Sequence, residues 1–195
     1  KITGSYSEWV VRLPGILSLL LTALLTYFVV RKYVNNSTAI YSTLFFITSG
    51  DIYFYGAMNA GEIDFFYTLL VYAQAICIFV FYRSERPLLL FTTSYLLTAI
   101  GMLTKGAPSI VFQGVTLVAY LLVVKRDWKL FFSWKHLLGI LVCIVPVIFY
   151  FYRYEQLGSD SMAYITTLFN EASGKTGFES KTAGLAKNLL VFPLN

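Results

Sequence analysis

The sequence predicts an all-α fold, a polytopic membrane bundle of about six transmembrane helices. Three observations carry that expectation. Apolar runs of near-spanning length follow one another along the chain, separated by short polar gaps. The composition is 57% hydrophobic and 13% charged, with a mean hydropathy of +0.68. A soluble domain is about 45–50% apolar and about 25% charged, so this chain cannot cover its own surface with polar atoms. Finally, the charges sit in the gaps between runs rather than along one solvated face.

The elements follow in order. Leu13 to Val30 is the first run, closed by Arg31 and Lys32, with Pro14 expected in the first helical turn, where a missing N–H costs little. The second runs from about Thr38 to Tyr55 and the third from Phe65 to Tyr82, closed by Arg83. Pro87 opens the fourth, which ends near Leu103. The fifth, Ile110 to Val124, is the shortest and fits a buried bundle helix as well as a span. Leu137 to Tyr152 is the sixth, with a kink expected at Pro146, which membrane helices tolerate. Helices are therefore expected near 13–32, 38–56, 64–82, 87–104, 109–124 and 136–152, within a bundle over 1–152. Residues 153–195 form the sizeable polar stretch. There Asp160 is placed to cap a short helix through Asn170, with Met162, Ile165, Leu168 and Phe169 on one face. That helix either lies in the outer interface or packs on the bundle. Leu189 to Pro193 reads as the start of a further membrane helix, and the absence of an opening Met or signal-peptide pattern suggests an internal fragment of a longer polytopic chain.

Lysine and arginine in short loops set the expected orientation. Arg31, Lys32, Arg83, Arg86, Lys125, Arg126, Lys129 and Lys135 share one side, eight against the three of Lys1, Arg12 and Lys105. The first set belongs on the cytoplasmic side, which puts the N-terminus, Lys105 and the tail after Tyr152 outside. Asn35 and Asn36 have glycosylation-acceptor spacing but fall on the cytoplasmic side, so that use is discarded.

Several chemistries are excluded. The net charge of +5 does not form a nucleic-acid face, because it is scattered among loops. Cys77 and Cys143 lie in separate apolar runs with no CxxC spacing, and His136 stands without partners for a metal set. Gly174-Lys175-Thr176 resembles the end of a phosphate loop, but that loop needs a glycine where Phe169 stands. No GxSxG or HExxH motif occurs.

What remains is a set of charges on the outward side. Asp51 lies inside the second run, and an ionisable group within a span is costly and marks a site, a water-filled cavity or a hydrogen bond to a neighbouring helix. Glu62 and Asp64 stand where the third helix begins, and there they either cap that helix or line a pocket. Thr104-Lys105-Gly106-Ala107-Pro108 joins helices four and five. Gly106 ends one helix, Pro108 opens the next, and unpaired amides beside the Lys105 ammonium would suit a phosphate; a tight hairpin with a snorkelling lysine is the competing reading.

Four segments together carry a resemblance. Glu8 followed by Arg12-Leu13-Pro14, Gly56 to Phe66 with its aspartate at Asp64, Gly101 followed by Leu103-Thr104-Lys105-Gly106, and Asn170-Glu171 followed by Gly174 resemble, in order and spacing, segments of the GT-C superfamily of lipid-linked-sugar glycosyltransferases. The resemblance is to the group of dolichyl-phosphate-mannose–protein mannosyltransferases and bacterial aminoarabinose transferases acting on lipid A. It implies a GT-C-like bundle in the bacterial inner (plasma) membrane. It also implies a sugar donor carried on polyprenyl phosphate and an acceptor hydroxyl on a protein, lipid A or another envelope glycan. In that family a carboxylate deprotonates the acceptor, which attacks the anomeric carbon, and the leaving phosphate is stabilised by positive groups or a divalent metal. Lys105 then matches the donor-phosphate residue, and Asp64, Glu62 and Asp51 shape the sugar or acceptor pocket. The catalytic base belongs to an outer loop expected upstream of Lys1. One departure is Met58, near where the family carries an arginine. Rival classes are a transporter or lipid flippase, for which Asp51 argues, and a non-catalytic subunit, for which the 18% aromatic content argues. All functional weight rests on Lys105 and Asp64 meeting at one mouth of the bundle.

Overall fold

The structure is a computed structural model that describes residues 8–49, 64–156 and 166–167. The described residues are helical, with no strand among them. The helices are α1 (Glu8–Tyr33), α2 (Asn36–Ile47), α3 (Asp64–Arg83), α4 (Pro87–Lys105), α5 (Pro108–Leu117), α6 (Trp128–Phe131) and α7 (Trp134–Gln156). A π-helical segment, Val118–Val124, extends α5. Helix is what hydrocarbon demands, because each backbone N–H and C=O must find its partner inside the segment.

Four stretches are long and apolar enough to cross a bilayer: Arg12–Tyr33, Asp64–Arg83, Pro87–Lys105 and Trp134–Gln156. α5 with its π segment, Pro108–Val124, is apolar but shorter. α2 has 12 residues, a rise of about 18 Å, and closes at Ile47. Residues 50–56 lie outside the described residues, as do 157–165 and 168–195, on which most of the expected interfacial helix and the further membrane helix fall.

Burial differs from that of a water-soluble protein, with polar side chains inside beside apolar ones and large apolar side chains outside. Ser18, Thr22, Gln74, Ser94, Thr98, Ser109 and Gln113 are buried, whereas Leu17, Leu20, Leu24, Phe28, Ile110, Val111 and Leu141 are exposed. Apolar side chains face outward because lipid accepts them, while small and polar residues let helices approach closely. A smaller apolar cluster of Ile78, Leu90, Phe91, Leu117 and Leu121 joins α3, α4 and the α5 extension.

The helix directions define two ends. α3 and α4 pair most extensively and run antiparallel, so the start of α3 lies beside the end of α4. Tyr33, at the end of α1, meets Phe79 near the end of α3, with ring centroids 5.0 Å apart. His136, near the start of α7, stacks on Phe91 near the start of α4 at 4.7 Å. Arg31, Lys32, Arg83, Arg86, Lys125, Arg126, Lys129 and Lys135 therefore gather at one end, called the Arg83 end, and Lys105 lies at the other. His136 Nδ1 stands 2.5 Å from the Phe131 carbonyl, which accepts only, so Nδ1 carries the proton and Nε2 accepts from the Tyr95 hydroxyl at 2.6 Å.

Two local expectations change. Pro14 is the seventh residue of α1, not part of its first turn, because the helix begins at Glu8; the proline removes the amide that the Val10 carbonyl would otherwise accept. Asn35, discarded as a glycosylation acceptor, is the N-cap of α2 and accepts from the Thr38 amide at 2.7 Å. The chain divides into two compact units after Val147, and the described part of the second is the end of α7 with residues 166–167.

Candidate functional site

Gly106 makes the turn at the Lys105 end possible. Its φ of 83° lies in the region that a Cβ disfavours, and its amide closes α4 on Met102 O at 2.9 Å. Lys105 is thus the last residue of α4, and Asp64 the first of α3. A cation at a helix C-terminus and an anion at an N-terminus each complement their own helix dipole. The two meet: Lys105 Nζ and Asp64 Oδ1 form an ion pair and hydrogen bond between residues 41 positions apart. Their side chains are 42% and 46% exposed. A pair so open to solvent is worth about 0–1 kcal/mol.

Tyr67 supports the ammonium. It stands three residues after Asp64 on the same helix face, and Lys105 Nζ lies 5.4 Å from its ring centroid. Ser109 Oγ, buried just past Pro108, donates to the Tyr67 hydroxyl at 3.3 Å, and Phe112 packs edge-on to the ring at 6.4 Å. Gly101 permits this closeness: a Cβ there would lie 2.7 Å from Ser109 Oγ and 3.6 Å from Tyr67 Cε2. Asp64, Tyr67, Gly101, Lys105 and Ser109 therefore form one rim built by α3, α4 and α5.

The open amides expected at the start of α5 are partly used. Ser109 N donates to Gly106 O at 3.3 Å, Ile110 N donates to Ala107 O at 3.1 Å, and Pro108 has no N–H. The tight turn satisfies its own first donors, so positive charge at this rim comes chiefly from Lys105. Glu62 and Asp51 lie outside the described residues. Among the described residues no group of three or more His, Cys, Asp or Glu side chains gathers to hold a metal.

Below the rim runs a polar seam. The Thr98 hydroxyl shares its one proton between Ser94 O at 2.9 Å and Gln74 Oε1 at 3.2 Å, and Gln113 Nε2 donates to Ser94 Oγ at 2.9 Å. Gln74 Nε2 and Gln113 Oε1 have no partner among the described residues. Sequence reasoning passed over Tyr67, Ser109 and both glutamines, although the i+3 spacing of Tyr67 from Asp64 was a readable signal. A pocket of about 300 Å³ lined by Phe131, Ser133, Trp134 and His136 opens at the Arg83 end, away from this rim.

The family described as dolichyl-phosphate-mannose-protein mannosyltransferase matches residues 1–150. The chain belongs to this family. The match spans α1 to α6 and most of α7, and so includes both partners of the ion pair. The mannosyltransferase family is one of membrane glycosyltransferases of the GT-C type, and the lipid-facing helices make this member an integral membrane protein. Neither a curated protein nor a solved structure matches it.

Proposed function

We propose that the chain is part of a glycosyltransferase that moves a sugar from a polyprenyl-phosphate donor to an acceptor hydroxyl on a protein, lipid A or another envelope glycan. The reaction takes place on the extracytoplasmic face of a bacterial inner (plasma) membrane. The observation that carries the reading is the Lys105–Asp64 pair, which joins two family-matched segments at a single rim.

The chemistry follows from the charges. The acceptor oxygen bonds to the anomeric carbon, the bond from that carbon to the phosphate oxygen breaks, and polyprenyl phosphate leaves with the electron pair. Negative charge grows on that oxygen, and a preorganised ammonium stabilises it. Lys105 has three N–H donors, so it can keep Asp64 and still donate to a phosphate. Asp64 aims the ammonium, and Tyr67 holds its approach. A general base takes the acceptor proton. Eight lysines and arginines at the Arg83 end support a cytoplasmic assignment for that end, leaving Lys105, the N-terminus and the C-terminal tail outside. The test is transfer from a polyprenyl-phosphate sugar in membranes holding Lys105→Ala or Asp64→Asn at matched protein levels. Loss of transfer in both supports the roles, and full transfer in both removes them.

A further inference from the structure

At the Arg83 end, three cations converge on one aromatic ladder. Tyr33 meets Phe79 at 5.0 Å, Phe79 meets Tyr120 at 6.0 Å, and Tyr120 meets Tyr82 at 5.4 Å, each edge to face. Lys32 Nζ lies 5.4 Å from the Tyr33 ring, and Arg83 Cζ lies 5.3 Å from the same ring and 5.5 Å from Phe79. Lys125 Nζ lies 5.6 Å from both Tyr82 and Tyr120. The cations come from the ends of α1, α3 and the π segment. The π geometry sets the last of these: Lys125 N donates to Tyr120 O at 3.0 Å, one residue further back than an α-helix would reach, which brings Lys125 into the turn that carries Tyr120. Such turns are rare and concentrate at functional positions.

None of the three has a carboxylate partner among the described residues, where the ion pair formed is Lys105–Asp64. Asp127 is occupied: one oxygen accepts from Leu130 N at 3.0 Å, and the other from the Tyr82 hydroxyl at 3.5 Å. Glu85 is the other carboxylate on this rim, exposed in the turn after Arg83. Lys32, Arg83 and Lys125 are themselves exposed. Next to Lys32 and Lys125 in the chain, Val34, Val123 and Val124 are each more than half exposed, apolar surface open to acyl chains.

We propose that Lys32, Arg83 and Lys125 form a seat for the phosphate of an anionic membrane lipid, separate from the Lys105 rim. Three cations without an ion-pair partner among the described residues supply the charge a phosphodiester needs, the aromatic ladder fixes their spacing, and the exposed valines favour a lipid over a soluble anion. The ladder stays in register because each ring is held by another helix.

The test is native mass spectrometry of the purified chain released from micelles. It is offered phosphatidylglycerol or phosphatidylcholine with identical acyl chains, or phosphatidylcholine with added inorganic phosphate. The unmodified chain is expected to retain phosphatidylglycerol at least about tenfold better than phosphatidylcholine. The K32Q/R83Q/K125Q variant is expected to lose that preference, and R126Q/K129Q/K135Q, which removes equal charge from the same end, to keep it. Equal retention of both lipids by the unmodified chain overturns the proposal, whether or not the variants fold. Equal loss in both triple variants overturns it in favour of diffuse charge, and binding of inorganic phosphate in place of the lipid overturns the lipid as its source.

Discussion

Three glycines in this bundle receive the same change, glycine to alanine, in three different surroundings. At Gly114 a Cβ meets nothing within 4 Å. At Gly101 it meets Ser109 Oγ at 2.7 Å, a hydroxyl that can rotate away at the expense of its 3.3 Å bond to Tyr67, and Ser109 Cβ at 3.3 Å, which must yield by a few tenths of an ångström. At Gly139 it meets Phe91 Cβ at 2.8 Å and Tyr95 Cδ2 at 2.6 Å. The first of those atoms is fixed to the α4 backbone, and the Tyr95 ring is held by its hydroxyl bond to His136. All three sites gain the same helix-propensity term, up to about 1 kcal/mol, so it cancels between them. What differs is overpacking, about 1–3 kcal/mol where neighbours cannot give way. Gly114→Ala is expected to be neutral or stabilising, Gly101→Ala near zero, and Gly139→Ala destabilised relative to Gly114→Ala by about 1–3 kcal/mol, because α7 must move off α4. Equilibrium unfolding in mixed micelles, followed by circular dichroism, reads the series. A Gly139→Ala protein as stable as Gly114→Ala would refute the close α4–α7 packing from which the order is derived.

The remaining predictions concern the rim, the seam and a cap. Lys105→Ala is expected to lower sugar transfer by at least about a hundredfold while membrane insertion is kept, since it removes the main positive group for the leaving phosphate; transfer within a few-fold of the unmodified protein would count against that role. Lys105→Arg keeps the charge but changes its shape, and is expected to retain more activity than the alanine variant in the same assay. Thr98→Val strips Gln74 of its one partner among the described residues and is expected to cost about 1–3 kcal/mol, whereas Gln74→Leu removes the orphaned amide with it and stays within about 1 kcal/mol of neutral, both by unfolding in micelles. Asn35→Ala removes the cap on Thr38 N and is expected to cost about 1 kcal/mol, seen as faster hydrogen exchange at the first amides of α2 with other helices unchanged.

Much of the rim was legible because it is written locally. Gly106 between Lys105 and Pro108 signals a helix end and a helix start whatever surrounds them, and Asp64 before an apolar run signals an N-terminus. That the two charges share one end follows from the order of spans and the lysines and arginines in the loops, whereas no local pattern says that they touch. Pro14 was misplaced because an apolar run marks where lipid begins, not where helix begins, and α1 starts in polar sequence at Glu8. Asn35 was weighed as an acceptor motif, although its nearer use, three residues before an amide it can cap, was equally present. The π segment escaped because Val118 to Val124 has ordinary helical composition, and its wider turn is visible in the backbone bonds alone.

The amino-acid sequence by itself determined the solvent and the secondary structure: with so little charge placed between long apolar runs, forming helices within lipid pairs the backbone N–H and C=O groups inside each run. Tertiary structure decided what those helices do together. It set which of Lys105's possible partners it meets, whether Gly101 admits Ser109 beside Tyr67, and how three cations come to share one ladder of rings. The physical reason is that hydropathy and caps act over one turn of chain, whereas an ion pair across 41 residues depends on the angle and spacing at which separate helices pack.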